Sequence, residues 1–135
     1  MELPVNKYRI PMLIFSPAHI TPAVEPKMTS QIDIAPTILV LLNVSYKNRF
    51  YGHDIFRRTV GCERAFISTY QSLGFIERDS MVILGPKRSP EVLVKNNQDF
   101  ERISVYHPAR LRIVRKAIAW YQSASNNFSN GEMKE

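Results

Sequence analysis

The spacing of hydrophobic positions changes twice along the chain, and each change predicts a different element. Residues 10–15 form an apolar run without alternation, which is typical of a strand buried on both faces. Pro11 is expected at the start of that strand, because proline has no N–H to donate to a ladder. Over residues 33–42 the spacing becomes helical, and Asp33 is the predicted N-cap. The predicted apolar face of this first helix consists of Ile34, Ile38, Leu41 and Leu42.

Later in the chain, short apolar pieces separated by turn residues predict antiparallel hairpins. The pieces are residues 64–70, 75–76, 81–84 and 91–94. A second helix is predicted over residues 108–123, since Pro108 suits a first helical position. Its predicted apolar stripe consists of Leu111, Val114, Ile118 and Tyr121, widened by Ile113, Ala117 and Trp120. The polar tail over residues 125–135 is expected to fray.

Composition narrows the class of protein. The chain has 135 residues, enough for one domain with a real core, and a formal net charge of +6. The single cysteine, Cys62, can form neither an internal disulfide nor a metal site alone, so a small buried side chain is expected there. Apolar runs are too short to span a bilayer, and the first residues do not form an export signal. We therefore expect a soluble chain.

Three segments, in this order, carry a family resemblance: Arg9-Ile-Pro-Met-Leu-Ile-Phe-Ser-Pro, then Ser30-Gln-Ile-Asp-Ile-Ala-Pro-Thr-Ile-Leu, then Phe50-Tyr-Gly-His-Asp-Ile-Phe. Together they resemble the end of a sulfatase-type domain of the alkaline phosphatase superfamily. The most similar subgroup comprises the membrane-anchored phosphoglycerol transferases and lipoteichoic-acid-synthase-like proteins of bacteria. Residues 64–74 and 118–122 also look like this subgroup. Two departures are Ala18 and Asn43, which stand where such proteins commonly have glycine.

The resemblance implies an α/β fold class: the C-terminal piece of an alkaline-phosphatase-like fold, with a buried strand, a covering helix, a small antiparallel sheet and a C-terminal helix. Residues 1–124 would form this portion, and residues 125–135 a tail. The parent enzyme would use a divalent metal (Mn, Mg, Zn or Ca) to transfer or hydrolyse phosphate or sulfate esters. It would be anchored in the cytoplasmic membrane with its catalytic domain outside. The missing N-terminal part of the domain is the expected partner.

The family's nucleophile and its metal-binding Asp-His pair precede the strand that corresponds to residues 10–15. The first nine residues contain neither Asp nor His, so no catalytic or metal-binding residue is carried over. The chain alone is therefore expected to be inactive. His19 and His53 are the candidate substrate-binding residues. His53 adjoins Asp54, but neighbouring residues on a turn usually point apart, so a turn-capping Asp54 and a surface His53 are the simpler reading.

The second helix carries four basic residues near an aromatic pair: Arg110, Arg112, Arg115 and Lys116 beside Trp120 and Tyr121. A solvated face is the simplest interpretation. The alternative function is a non-catalytic accessory or binding module that contacts anionic lipid or nucleic acid through this basic helix. Nucleic acid is the less favoured of these partners, because Trp120 falls on the predicted apolar face. Phosphoglycerol transfer, phosphoethanolamine transfer and sulfate-ester hydrolysis all remain open.

Overall fold

A computed structural model describes residues 5–47, 49, 51–57, 62–86, 89–96, 99–102 and 108–133. Within these residues a single antiparallel sheet has the order β1-β2-β3-β4-β5, with each strand beside its neighbour in sequence. Its strands are β1 (Arg64–Ser68), β2 (Leu73–Glu77), β3 (Ser80–Leu84), β4 (Glu91–Asn96) and β5 (Asp99–Arg102). Two α-helices flank the sheet in sequence, α1 (Ile34–Leu41) and α2 (Pro108–Ser129). The predicted hairpins are confirmed, and β5 is a strand that the sequence did not predict.

The alternation of side chains along the strands gives the sheet two different faces. The register pairs Phe66 with Phe75, and Phe75 in turn with Val82. This face packs against α2. The intervening residues form the opposite face, whose buried members are Ile67, Ile76, Met81 and Ile83. Three residues from early in the chain pack on that opposite face: Val5, Tyr8 and Met28.

Helix α2 lies on the first face through most of its predicted apolar stripe, from which Leu111 is the clear departure. Ile113 and Ala117 are buried, whereas Leu111 is 65% exposed. Trp120 and Tyr121 pack beside them. The helix continues to Ser129, six residues past its predicted end, and a turn at Gly131 (φ 71°) closes it. The first part of the polar tail, up to Ser129, is therefore helical and does not fray as expected.

Helix α1 ends in a well-formed cap. Asn43 adopts a left-handed conformation (φ 54°), and its N–H donates to Val40 O at 3.0 Å. The N–H of Val44 reaches Leu39 O at 3.0 Å, which completes the paired hydrogen bonds of a Schellman motif. Asparagine tolerates this conformation better than most side chains do. Asn43 therefore stops the helix as predicted, although glycine is the more common residue there.

The predicted buried strand over residues 10–15 is not formed. These residues have no strand pairing, and three of their side chains are largely exposed: Ile10 (76%), Leu13 (89%) and Phe15 (82%). A strand buried on both faces needs a neighbour on each side and helices above and below. The part of the chain that the structure describes supplies none of these to residues 10–15. The apolar run is present, but its expected neighbours are not.

The predicted face of α1 is likewise turned outward. Ile38, Leu41 and Leu42 are 42%, 39% and 66% exposed, whereas Pro36 and Thr37 are buried. A helix in a soluble domain normally buries its apolar stripe. Here the helix is held by polar groups on its other side. No helix among the described residues is long and apolar enough to cross a membrane.

Candidate functional site

Asp33 lies at the centre of a polar cluster that joins three segments of the described chain, and its side chain is completely buried. Oδ2 accepts the N–H of Ser30 at 2.9 Å, and Oδ1 accepts the N–H of His53 at 2.9 Å. The Arg64 guanidinium adds Nη1 at 3.2 Å from Oδ1 and 3.3 Å from Oδ2. The carboxylate thus joins the start of α1, the loop after it and the first strand. We call Ser30, Asp33, Thr37, His53 and Arg64 the Asp33 clamp.

Arg64 is held in position from several sides. It is 3% exposed, and its Nη2 donates to the carbonyl of Tyr51 at 2.6 Å. Phe66 lies two residues along β1 on the same face, so its ring centroid is 5.3 Å from the guanidinium carbon. The centroid of the neighbouring Trp120 ring is at 4.9 Å from the same carbon. A planar guanidinium suits this place, because it can stack on rings while it donates in its own plane.

Neutral hydrogen bonds complete the cluster. Thr37 Oγ1 donates to the carbonyl of Asp33 at 2.6 Å and accepts the N–H of Ile55 at 3.0 Å. Ser30 Oγ accepts the N–H of Phe66 at 3.3 Å, at the outer edge of β1. The Asp-x-x-x-Thr spacing of α1 therefore places a carboxylate and a hydroxyl on one buried side of a short helix.

Gly52 allows the loop to approach this helix closely. A Cβ at this position would lie 1.8 Å from the carbonyl oxygen of Ile32, a distance that no side chain can occupy. The glycine thus permits the N–H of the next residue, His53, to reach the Asp33 carboxylate. This contact explains why the Gly-x-Asp turn and the Asp-Ile-Ala-Pro-Thr segment occur together in the sequence.

The observed contacts of the Asp33 clamp are structural. Both carboxylate oxygens accept hydrogen bonds from within the fold, and burial separates the side chain from solvent. Asp33 occupies the N-cap position of α1, as the sequence predicted, but its carboxylate does not have the predicted capping role. Its side chain makes no cap hydrogen bond to α1, because a 3-10 turn (Gln31–Asp33) precedes the helix and directs the carboxylate towards the loop and Arg64.

His53 is exposed, as expected for a surface residue. Its Nδ1 is 2.9 Å from the carbonyl of Gly52, which favours the tautomer with a proton on Nδ1 and leaves Nε2 directed elsewhere. Asp54 accepts the N–H of Phe56 at 3.0 Å and pairs with Arg57 at 3.6 Å. Asp54 therefore caps its own turn, in agreement with the simpler reading of the sequence.

His19 is also exposed, and its Nδ1 is 3.1 Å from Ser16 Oγ within one turn. No contact joins His19 to His53 among the interactions of the described residues, so the two candidate residues do not form a shared site there. His107 lies outside the described residues. Cys62 is exposed rather than buried, which corrects the expectation of a small core side chain.

A metal ion would need several donors together, and the described residues offer no group of three or more His, Cys, Asp or Glu side chains that could hold one. Asp33 is committed to Arg64 and to backbone N–H groups, and Asp54 to its turn. The donor set described here therefore does not fit the divalent metal of sulfatase-type enzymes, and no chemical step can be derived through it.

The sole Trp of the chain connects the clamp to the end of α2. The Tyr51 ring meets Trp120 edge-on at 6.0 Å, and Asn127 Nδ2 donates to the Tyr51 hydroxyl at 2.7 Å. Further along, Tyr121 donates to the carbonyl of Gly74 at 2.8 Å. Burial raises the pKa of Tyr121 to about 12, because the phenolate would be poorly solvated there. These contacts fix α2 to both the loop and the sheet.

An open, shallow depression lies beside these contacts, lined by Arg49, Tyr51, Ser123, Asn127, Glu132 and Met133. Arg49 Nη1 donates to the carbonyl of Glu132 at 2.6 Å, and Ser123 Oγ is 3.3 Å from the Tyr51 hydroxyl. Its polar groups are thus engaged with one another, so the depression reads as a joint between the loop and the end of α2.

Sequence reasoning missed the partner of Asp33. The sequence predicts Arg64 at the start of a strand, as observed. Its ion pair with Asp33, 31 residues earlier, cannot be predicted from hydrophobic periodicity. One available clue was a charged residue immediately before the apolar run Ala65-Phe66-Ile67, since such a residue enters a buried sheet only with a partner. A second clue was Gly52, which lies in the loop after α1, the helix that Asp33 immediately precedes.

Comparison with known proteins identifies one informative neighbour. A crystal structure of a protein in the alkaline phosphatase superfamily from Vibrio parahaemolyticus matches with a TM-score of 0.67 and 24% sequence identity. The match covers 78% of this chain and 26% of that chain. No family model and no curated protein matches the sequence. The comparison confirms the predicted fold class, a piece of an alkaline-phosphatase-like fold, and this chain spans about a quarter of that neighbour.

Proposed function

We propose that this chain is the C-terminal portion of a metal-dependent, sulfatase-like enzyme that acts on phosphate or sulfate esters. Its own role is to complete the fold of that enzyme rather than to carry its chemistry. The nucleophile and the metal ligands belong to the preceding part of the domain, which is the partner of this chain. Phosphoglycerol or phosphoethanolamine transfer at the outer side of a cytoplasmic membrane is the finer form of the proposal.

The observation that carries the proposal is that many apolar side chains between residues 10 and 44 are exposed to solvent. Residues 10–15 are an exposed apolar run without strand pairing, and α1 exposes its apolar stripe while burying Thr37. Val24 and Val44 in the same region are 93% and 47% exposed. A monomeric soluble protein rarely leaves so much apolar surface within some 35 residues, and such a surface marks an interface.

The shape of the exposed stretch indicates what would cover it. An apolar run without alternation fits between two parallel strands, and an apolar helix face fits over a sheet. The preceding part of an α/β domain offers both. The match to about a quarter of the Vibrio protein supports the same arrangement, because the remaining three quarters of such a fold would supply the covering surface. Among the described residues from 62 onwards, α2 covers one face of the sheet, and the exposed large apolar side chains lie far apart in sequence, as at Tyr70, Leu111 and Phe128.

The reading frame gives the first test. We expect the DNA immediately upstream of the Met1 codon to continue the frame and to encode an Asp-His pair shortly before residues 10–15. The longer product should hydrolyse a generic phosphate diester or sulfate ester with Mn²⁺, Mg²⁺, Zn²⁺ or Ca²⁺ added. The 135-residue chain should show no turnover above background under the same conditions.

Two outcomes would contradict the proposal. An upstream frame without metal-binding residues, combined with a translation start at Met1, would favour an accessory module. Metal-dependent turnover by the 135-residue chain, abolished in His53→Ala or His19→Ala, would place an active site within this chain. Hydrogen exchange provides a readout independent of activity: the amides of residues 10–15 should exchange rapidly in the short chain and slowly in the longer product.

A further inference from the structure

The outward face of the first half of α2 has a composition that the fold does not require. Helix α2 contains no acidic residue in its 22 positions, and its basic residues are concentrated between positions 110 and 116. With no acidic residue in the helix, these charges have no opposite charge on α2 to pair with. A partner elsewhere in the fold or outside it is therefore needed to neutralise them.

Two of the basic side chains are already engaged within the fold. Arg110 Nη2 donates to the carbonyl of Pro90 at 2.7 Å, and Lys116 pairs with Glu77. Arg112 and Arg115 are exposed, and no ion pair or hydrogen bond of either is recorded among the described residues. The two guanidinium groups are thus available to an external anion.

An exposed leucine stands among these charges. Leu111 is 65% exposed and lies four residues before Arg115, one turn along the same side of the helix. The buried stripe through Ile113 and Ala117 faces the sheet on the other side. Leu111, Arg112 and Arg115 therefore form one surface, which we call the basic face of α2.

Two acidic residues on the α2 side of the sheet already have partners within the fold. Glu77 pairs with Lys116. Glu101 pairs in register with Val94 on that side, and its Oε1 accepts a hydrogen bond from Asn96 Nδ2 at 2.9 Å. Glu91 pairs in register with Ile83 and so points to the opposite face of the sheet. The chain as a whole has a formal net charge of +6.

We propose that the basic face of α2 is a docking surface for an anionic lipid bilayer. The two free guanidinium groups bind lipid phosphates, and Leu111 beside them enters the boundary between headgroups and acyl chains. Nucleic acid fits less well, since proteins that bind single-stranded nucleic acid stack its bases on exposed aromatic side chains. Trp120 and Tyr121 are unavailable for that purpose because they pack against Phe66. The inference does not depend on the proposed enzyme.

The test is co-sedimentation of the full chain with vesicles of phosphatidylglycerol and phosphatidylcholine, and with vesicles of phosphatidylcholine alone. We expect binding only to the anionic vesicles, and weaker binding as salt is raised. Each arginine contributes roughly a fivefold gain in partitioning, so Arg112→Gln with Arg115→Gln should lower it about 25-fold. Leu111→Ser should lower it about tenfold without changing the charge.

The matched control is Arg9→Gln with Lys95→Gln, which removes the same charge from exposed positions elsewhere. The control should lower binding far less than the α2 pair. Equal loss in both pairs would show that net charge alone acts, and absence of binding to anionic vesicles would also overturn the proposal. Tighter binding to a single-stranded oligonucleotide, lost in the same variants, would overturn it as well. Inorganic phosphate that competes more strongly than chloride at equal ionic strength would indicate a small-anion site and would also overturn the proposal. Thermal melts should confirm that all variants remain folded.

Discussion

The two halves of the described chain differ in the balance of residues that they bury. From residue 62 onwards a five-stranded sheet and α2 enclose mainly apolar side chains, among them Phe75 and Val82. Before residue 58 the buried side chains include the polar residues Ser30, Asp33 and Thr37, whereas many aliphatic side chains are exposed. The second half is thus stabilised mainly by an apolar core. The first half is attached to it by the Asp33 clamp and by a few apolar side chains that pack on the sheet.

The largest effect is expected where the two halves meet. Asp33→Ala leaves Arg64 buried without its counter-ion, and breaking a buried pair in this way costs about 3–5 kcal/mol. Urea unfolding should show this loss. Hydrogen exchange should show that amides around α1 lose protection first, while those of β2 and β3 retain theirs. A loss below about 1 kcal/mol would mean that the Asp33 clamp does not hold the halves together.

The close approach of the loop gives the next largest effect. Gly52→Ala should cost about 2 kcal/mol, because the new methyl group would displace the backbone at Ile32. The thermal midpoint should fall, and the amide of His53 should exchange faster once its bond to Asp33 is broken. Unchanged stability would show that the loop can withdraw from α1 freely, and the two halves would then be less tightly joined than the structure indicates.

A smaller effect belongs to the second half alone. Tyr121→Phe removes the hydrogen bond to Gly74, at a cost of about 1 kcal/mol at neutral pH. Because the folded-state pKa of Tyr121 is about 12 and the usual value is 10.0, the unfolded chain loses its proton first as pH rises. Stability should therefore decrease from pH 10 towards pH 12, and less steeply in Tyr121→Phe. Denaturation midpoints measured across this range provide the check, and identical slopes in both proteins would contradict it.

The smallest effect on stability is expected on the exposed side of the first half. Leu13→Asp with Leu42→Asp should change the free energy of unfolding by less than about 0.5 kcal/mol, because both side chains face solvent. The same pair should reduce the binding of a hydrophobic dye and any self-association of the chain. A large loss of stability would instead show that these leucines pack within the chain, and the contrast between the halves would disappear.

The contrast also separates what the sequence could predict from what it could not. The hairpins and α2 were predictable because their periodicity reflects contacts made within the same segment. The run over residues 10–15 and the stripe of α1 have equally clear patterns, but a pattern specifies that a face is buried and not which surface buries it. Arg64 and Asp33 were individually visible, yet a pair separated by 31 positions leaves no periodic trace. In α2 the predicted face was largely right, and Leu111 is the member that lies outside the core.

The Asp33 clamp has a consequence for genome annotation. The Asp-Ile-Ala-Pro-Thr segment and the Gly-His-Asp turn are easy to recognise, but in this molecule they form a buried joint between a helix, a loop and a strand. Joints of this kind can persist in a gene product whether or not a reaction centre accompanies them. In this molecule the two segments by themselves therefore specify architecture, and a reaction cannot be inferred from them alone.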